Sequence, residues 1–231
     1  MGERFLIQCA LGVATATMLL APHSHADMKA RLAATTDYLQ RGLQQNTDGL
    51  AYQAMLEYDF DNGLFAGVWA SNVSFGSFDD RDFELDYFVG YSRTIRPGLA
   101  FDATVIHYTF PGHTKPRDYD WTEVMVSTYL GDRWLLSAGV ADNWLARNET
   151  TTFVEGGYRY PLPLSLTIDL TLGYQSLKDP FPDYAYGELG ISRRVGAVDV
   201  RVGYAATDHD ARDWFGSWAD NRWLASISFE I

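Results

Sequence analysis

Apolar and polar residues alternate with a period of two along almost the whole chain beyond residue 27, which is the pattern of strands with two unlike faces. The clearest run sets Leu164, Leu166, Ile168, Leu170, Leu172 and Tyr174 against Ser165, Thr167, Asp169, Thr171, Gly173 and Gln175. Phe83, Leu85, Tyr87, Val89 and Tyr91 oppose Asp82, Glu84 and Asp86 in the same way, with Phe88 on the polar phase. Val198, Val200, Val202 and Tyr204 oppose Asp199, Arg201 and Gly203, and Tyr52 to Phe60 alternate with Gln53, Met55, Glu57 and Asp59.

Turn residues cut this pattern into strands over 29–41, 51–60, 64–72, 82–92, 99–109, 119–130, 133–145, 150–160, 164–175, 183–194, 198–207 and 219–231. Twelve is an even number, as single-chain bacterial barrels require. Short connections such as Asp61-Asn62-Gly63, Gly131-Asp132 and Pro161-Leu162-Pro163 alternate with longer ones around 42–50, 73–81, 110–118, 146–149, 176–182 and 208–218. The first and last connections are long, so both chain ends fall on the short-turn side. Aromatic residues close many apolar phases, among them Tyr52 and Phe60, Phe83 and Tyr91, Tyr174 and Trp223. Such rings suit the headgroup levels of a bilayer. The expected fold is therefore all-β: one closed antiparallel transmembrane β-barrel of twelve strands over 27–231.

Residues 1–26 follow another design. Arg4 precedes a mostly apolar stretch from Phe5 to Ala21, and Ser24-His25-Ala26 offers small residues at the positions a signal peptidase reads. This predicts an exported precursor cleaved before Asp27. The only cysteine, Cys9, lies in that segment, so the mature chain is expected to hold no disulfide and no cysteine-ligated metal.

A soluble exported sandwich or small barrel would also alternate. Export, the number of amphipathic strands and the many charged residues on the polar phase favour the membrane. There the apolar face meets lipid, and closure pairs every backbone group. The formal charge of −12 and the absence of a basic stripe exclude nucleic acid as an expected partner.

The block Gly63-Leu64-Phe65-Ala66-Gly67-Val68-Trp69-Ala70-Ser71-Asn72-Val73 adds a resemblance. So do Tyr38 with Arg41-Gly42 and Gln45, Glu84-Leu85-Asp86, Gly90-Tyr91, Tyr108-Thr109-Phe110-Pro111-Gly112, and Asp118-Tyr119-Asp120-Trp121 with Glu123. On these residues the chain resembles the TorF family of porins, densely over the first half of the mature sequence and by strand rhythm beyond it. The resemblance implies an exported outer-membrane protein of porin type with no catalytic motif.

An open lumen would present Glu57, Asp59, Asp82, Glu84, Asp86, Asp102, Glu155, Asp169 and Asp199, with Arg159 and Arg201 as counter-charges. That balance would favour cations. The alternative is a satisfied network plugging a narrow barrel. A tight turn over 160–164 would place Glu155 across from Asp169. Arg41, where the first strand enters its long loop, is a charge at the pore mouth, a contact for lipopolysaccharide, or an arginine tied to loop carboxylates. Trp214 and Phe215 mark the 208–218 loop as a binding surface or a constriction. Enzymatic chemistry would need partners for His107, His113 or His209, and none stands at a diagnostic spacing.

The functional expectation is a weakly cation-favouring diffusion channel for small hydrophilic solutes. Non-conducting structural or adhesive barrels and an outer-membrane enzyme are the alternatives. No cofactor is implied. The expected partners are outer-membrane lipid, lipopolysaccharide, periplasmic chaperones, the barrel insertion machinery and the solutes themselves.

Overall fold

The computed structural model describes residues 27–76, 80–112 and 119–231. The expected signal segment 1–26, with Cys9, lies outside the described residues, as does His113.

Twelve strands close into one antiparallel barrel. They are β1 (Asp27–Thr35), β4 (Ala51–Asp59), β5 (Leu64–Asn72), β6 (Phe83–Arg96), β7 (Leu99–Thr109), β8 (Trp121–Leu130), β9 (Trp134–Ala141), β10 (Thr151–Leu162), β11 (Leu166–Ser176), β12 (Tyr184–Val195), β13 (Val198–Thr207) and β14 (Arg222–Glu230). Two two-residue strands, β2 (Leu39–Gln40) and β3 (Leu43–Gln44), form a separate miniature hairpin. Neighbours in sequence are neighbours in the wall, and β1 closes the cylinder by pairing with both ends of the order: Leu32 lies opposite Ala54 on one side and Phe229 on the other. Among the described residues no strand of the barrel keeps an unpaired edge, which is the condition for backbone in hydrocarbon.

The apolar phase faces outward. Leu56, Val89, Val126, Leu136, Leu172, Ile191, Val202 and Ile227 are all exposed on the outer wall. Aromatic rings gather at its two rims. Tyr58 and Phe60 pack edge to face at 4.8 Å by the short turns, and Trp134 and Tyr158 lie 4.4 Å apart at the same level. At the long-loop rim Tyr204 and Trp223 meet at 5.1 Å. A surface of this kind would be unfavourable in water and suits a bilayer with two interfacial levels.

Short connections at 60–63, 97–98, 131–133, 163–165 and 196–197 alternate with long ones at 36–50, 73–82, 110–120, 142–150, 177–183 and 208–221. Two expectations from the sequence need correction. The first strand stops at Thr35 and does not run to residue 41. The Thr35 hydroxyl donates to the Asp37 carbonyl at 2.9 Å, a local bond that draws the chain out of the ladder. The turn after β10 is centred on Leu164, where Leu164 and Ser165 take positive φ, and Pro161 ends a strand instead of making the turn. Asp169 therefore lies across from Arg159, and Glu155 across from Gly173. The like-charge pair expected between Glu155 and Asp169 does not form.

Candidate functional site

The polar phase lines a narrow lumen, and that lumen divides into two halves. Nearest the short turns the walls are charged and mutually neutralised. The Lys29 ammonium lies 3.2 Å from Glu57 and 2.5 Å from Asp59. Arg201 donates to Asp169 at 3.0 Å and also pairs with Glu188, while Arg159 approaches Asp169 at 3.9 Å. Asp102 accepts from the Tyr129 hydroxyl at 2.8 Å. Gly190 makes the Arg201 arrangement possible, because a Cβ there would fall on the guanidinium and on the Asp169 carboxylate.

The half nearest the long loops is filled. Beyond β1 the chain turns inward, and Tyr38, Leu39, Gln40, Arg41 and Leu43 are all buried. Leu39-Gln40 and Leu43-Gln44 pair around Arg41-Gly42, whose φ values of 49° and 81° give the two positive angles a tight two-residue hairpin turn needs. Glycine is required at the second position for space as well: a Cβ on Gly42 would sit 2.7 Å from Thr207 Cγ2 and 2.9 Å from Tyr186 Cβ.

This hairpin touches the wall on several sides. Tyr38 donates to Glu84 at 2.9 Å and packs its ring 5.4 Å from Trp69. Arg41 Nη2 donates to both oxygens of Glu123, at 2.6 and 2.7 Å, and the guanidinium lies 3.7 Å above the Phe153 ring. The Trp144 indole donates to Gln40 at 3.4 Å. Strands β5, β6, β8 and β10 are thus tied through one loop, and the lumen is obstructed at this level. Burial is the largest influence on Arg41 and opposes its charge, but the Glu123 carboxylate together with the Tyr186 and Tyr108 hydroxyls outweighs it and raises the guanidinium pKa. Burial first, and then Glu84 and Asp86, hold the Tyr38 phenol well above its usual value.

Carboxylates outnumber cations here. Glu84 and Asp86 are buried, Glu155 accepts from the Tyr186 hydroxyl at 2.9 Å, and Glu123 is engaged by Arg41.

Of the residues singled out from sequence, Glu57, Asp59, Glu84, Asp86, Asp102, Asp169 and Arg201 are buried on the inner wall, and Glu155, Arg159 and Asp199 are partly buried there. Asp82 is exposed, just before β6, and does not line the lumen. Arg41 is buried, so it contacts neither loop carboxylates nor an external lipopolysaccharide in this conformation. Trp214 stands half exposed on the short helix α1 (His209–Phe215), against Phe181, while Phe215 is turned toward the mouth. Glu123 was missed as a site residue although it shares the phase of Met125 and Ser127. The repeat Leu-Gln on either side of Arg41-Gly42 was the available signal for the inward hairpin.

The histidines are dispersed. His107 is on the outer side, 3.1 Å from Thr122 Oγ1, and His209 contacts Asp213 at 3.1 Å on an exposed helix face. Asp208 caps that helix through the Ala211 amide at 3.0 Å. Among the described residues no three histidine, cysteine or carboxylate side chains are arranged to hold a metal ion.

This architecture places the chain among closed twelve-stranded antiparallel β-barrels. It belongs to the family described as "Bacterial protein of unknown function (Gcw_chp)", whose model matches residues 20–228. No curated protein matches the sequence. The fold is similar to that of the KdgM porin, with a TM-score of 0.56 and 8% identity over 87% of this chain and 98% of that one. The same porin in complex with disordered oligogalacturonate gives 0.56 and 7% identity over 89% and 98%. The NanC porin in a rhombohedral crystal form gives 0.53 and 10% identity over 89% and 100%. These likenesses concern the barrel fold in general and do not single out the TorF family.

Proposed function

We propose that this protein is an outer-membrane, porin-type diffusion channel for small hydrophilic solutes, held shut in the present conformation by the hairpin over residues 38–45. The observation that carries the reading is the pairing of Arg41 with Glu123 inside a closed barrel whose outer wall is apolar. A structural barrel needs only a sealed interior, and apolar packing would seal it at lower desolvation cost than a buried ion pair. A pair of this kind, at the tip of a short hairpin folded into the lumen, suits a movable plug. Once the plug leaves, Glu84, Asp86, Glu123 and Glu155 would line the constriction and favour cations.

Location follows from the same features: the lipid-facing belt, the two aromatic rims and the expected signal segment support the outer membrane of a Gram-negative bacterium. Lipopolysaccharide outside, and periplasmic chaperones with the barrel insertion machinery during assembly, are its partners in this reading. The KdgM porin, similar in fold, is known in complex with disordered oligogalacturonate. The acidic constriction here argues for a different, uncharged or cationic solute class.

Planar-bilayer recording under a KCl gradient tests the proposal. The unaltered barrel should conduct rarely, and Glu123→Gln should open often with a cation-favouring reversal potential. Adding Glu84→Gln and Asp86→Asn should weaken that preference. Folded barrels that never conduct, with or without the plug contact, would leave the sealed structural barrel as the correct reading.

A further inference from the structure

Above the plug, all six long connections converge on a cavity of about 250 Å³. Its floor is formed by Gln40 and Leu43 of the hairpin with Trp121 and Trp144, and its rim by Phe181, Phe215 and Trp218. On one wall the Arg81 guanidinium lies 3.7 Å above the Tyr119 ring and 4.0 Å above that of Phe75. Phe181 and Phe215 are nearly parallel, with ring centroids 5.7 Å apart. We infer that this vestibule is a binding site for a neutral, planar aromatic molecule of one or two fused rings that carries a carbonyl acceptor. The site belongs to the docked hairpin, which supplies Gln40 and Leu43, and the inference stands whether or not that hairpin can leave the lumen.

The dimensions and walls select the ring. A cavity near the lower end of the small-ligand range holds one compact molecule, and walls made of aromatic faces reward a flat apolar guest. Charge selects neutrality. Arg81 disfavours a second cation, while a chain of formal charge −12, with Asp37, Asp48, Asp120, Asp142 and Asp183 on the surrounding loops, disfavours an anion.

The acceptor is selected by Gln40. Its side-chain oxygen accepts from the Trp144 indole at 3.4 Å, which assigns the opposite end of the amide as the NH2 group. That Nε2 is buried and has no protein partner, and Gln40 is only 4% exposed. An unanswered buried donor is costly, and a ligand carbonyl would answer it. The other amides are occupied: Gln44 donates to Asp37 at 2.9 Å and Gln45 to the Leu43 carbonyl at 2.9 Å. A saccharide, which needs many polar partners at once, finds too few.

Coumarin is a suitable probe, being neutral, bicyclic and planar with one carbonyl. Titrated into the detergent-refolded barrel, it should quench tryptophan fluorescence saturably at one site per chain. Gln40→Leu and Trp218→Ala should each weaken binding about ten-fold, with Phe181→Ala in place of the latter if it does not fold. Trp223→Ala, on the lipid-facing wall, should leave binding unchanged and so reports on partitioning into the micelle. Heat-modifiable migration on gels checks that each variant is folded. The inference is overturned if quenching does not saturate, if the Gln40 and vestibule variants behave like the Trp223 variant, or if methyl glucoside binds as tightly as coumarin.

Discussion

A single nitrogen of Arg41, Nη2, donates to both carboxylate oxygens of Glu123, joining residues 82 positions apart across the interior of the barrel. The other guanidinium nitrogens, Nε and Nη1, are buried without a protein partner. The pair is therefore strong as a charge contact and incomplete as a hydrogen-bonded one. Removing one partner strands a charge, whereas removing both leaves an apolar contact. Glu123→Gln should weaken the docking of residues 38–45 by about 3–5 kcal/mol. The double change Arg41→Met/Glu123→Leu should weaken it less than either single one. Hydrogen exchange at Leu39, Gln40 and Leu43 measures both, and equal effects of the single and double variants would contradict the account.

Gly42 holds the turn on two counts, a left-handed backbone and a missing side chain. Gly42→Ala should destabilise the docked hairpin by more than the roughly 1–2 kcal/mol of the backbone term, since the new methyl meets Thr207 and Tyr186. Its exchange signature should match that of Glu123→Gln while global urea unfolding in vesicles changes little. A large loss of global stability would mean that the hairpin is part of the barrel's folding core and not a separable plug.

These two positions also mark where the sequence was readable and where it was not. Twelve strands, the alternation of short and long connections and the outward apolar phase follow from period-two patterning and turn residues, which are local signals. The first arm of the hairpin was absorbed into the expected strand 29–41, and its second arm into the expected loop 42–50, because the Leu-Gln repeat by itself does not mark an inward turn at Arg41-Gly42. Only the bond from Thr35 to Asp37, and the room inside a twelve-stranded barrel, decide that it folds inward. The Asp169 to Arg159 pairing was missed because a Pro-Leu-Pro segment looks like a turn; moving the turn centre by two residues shifts each partner by four, which keeps every side chain on its face while changing every partner. The vestibule gathers side chains from six separate loops, a non-local arrangement that patterning along the chain does not reveal.

Tyr38 makes the plug sensitive to alkali. Its phenol is held well above its usual value of 10.0 by burial first and by Glu84 next, so the docked state keeps a proton that the undocked state gives up. The stabilisation is complete below pH 10 and falls as pH rises beyond it, by up to about 1.4 kcal/mol per pH unit. Hairpin exchange should accelerate above pH 10 in the unaltered chain. Tyr38→Phe should exchange faster at neutral pH, having lost the bond to Glu84, and show no further acceleration from this group above pH 10. A hairpin whose exchange tracks only the intrinsic base-catalysed rate would contradict it.

Arg201 and Gly190 form the corresponding pair near the short turns. Gly190→Ala should cost about 1–3 kcal/mol in urea unfolding from vesicles, because the methyl displaces a guanidinium already shared between Asp169 and Glu188. Arg201→Met should cost more, since it leaves two carboxylates facing each other without their common cation. Gly187→Ala serves as a comparison on the same strand away from the arginine, where the new methyl meets the end of Leu172 at 2.9 Å and the Thr171 carbonyl at 3.2 Å and should cost less, since no ion pair is disturbed. Equal losses at 187 and 190 would point to backbone effects and not to the arginine.

The outward wall offers the most direct test of what surrounds the barrel. Leu172 is 59% exposed in the middle of β11 and pairs with Gly156 and Gly187 on the flanking strands. In water, Leu172→Arg would be close to neutral, because an exposed apolar side chain gives way to a solvated one. In a bilayer the same change puts a charge against hydrocarbon at mid-depth and should cost about 2–4 kcal/mol. Val195→Arg, beside the short turn at the edge of the belt, should cost about 0–1 kcal/mol. Folding titrations of both variants in phospholipid vesicles give the comparison. A depth-dependent penalty places the apolar wall in lipid, whereas two equally neutral substitutions would mean that this surface is covered by something other than a membrane.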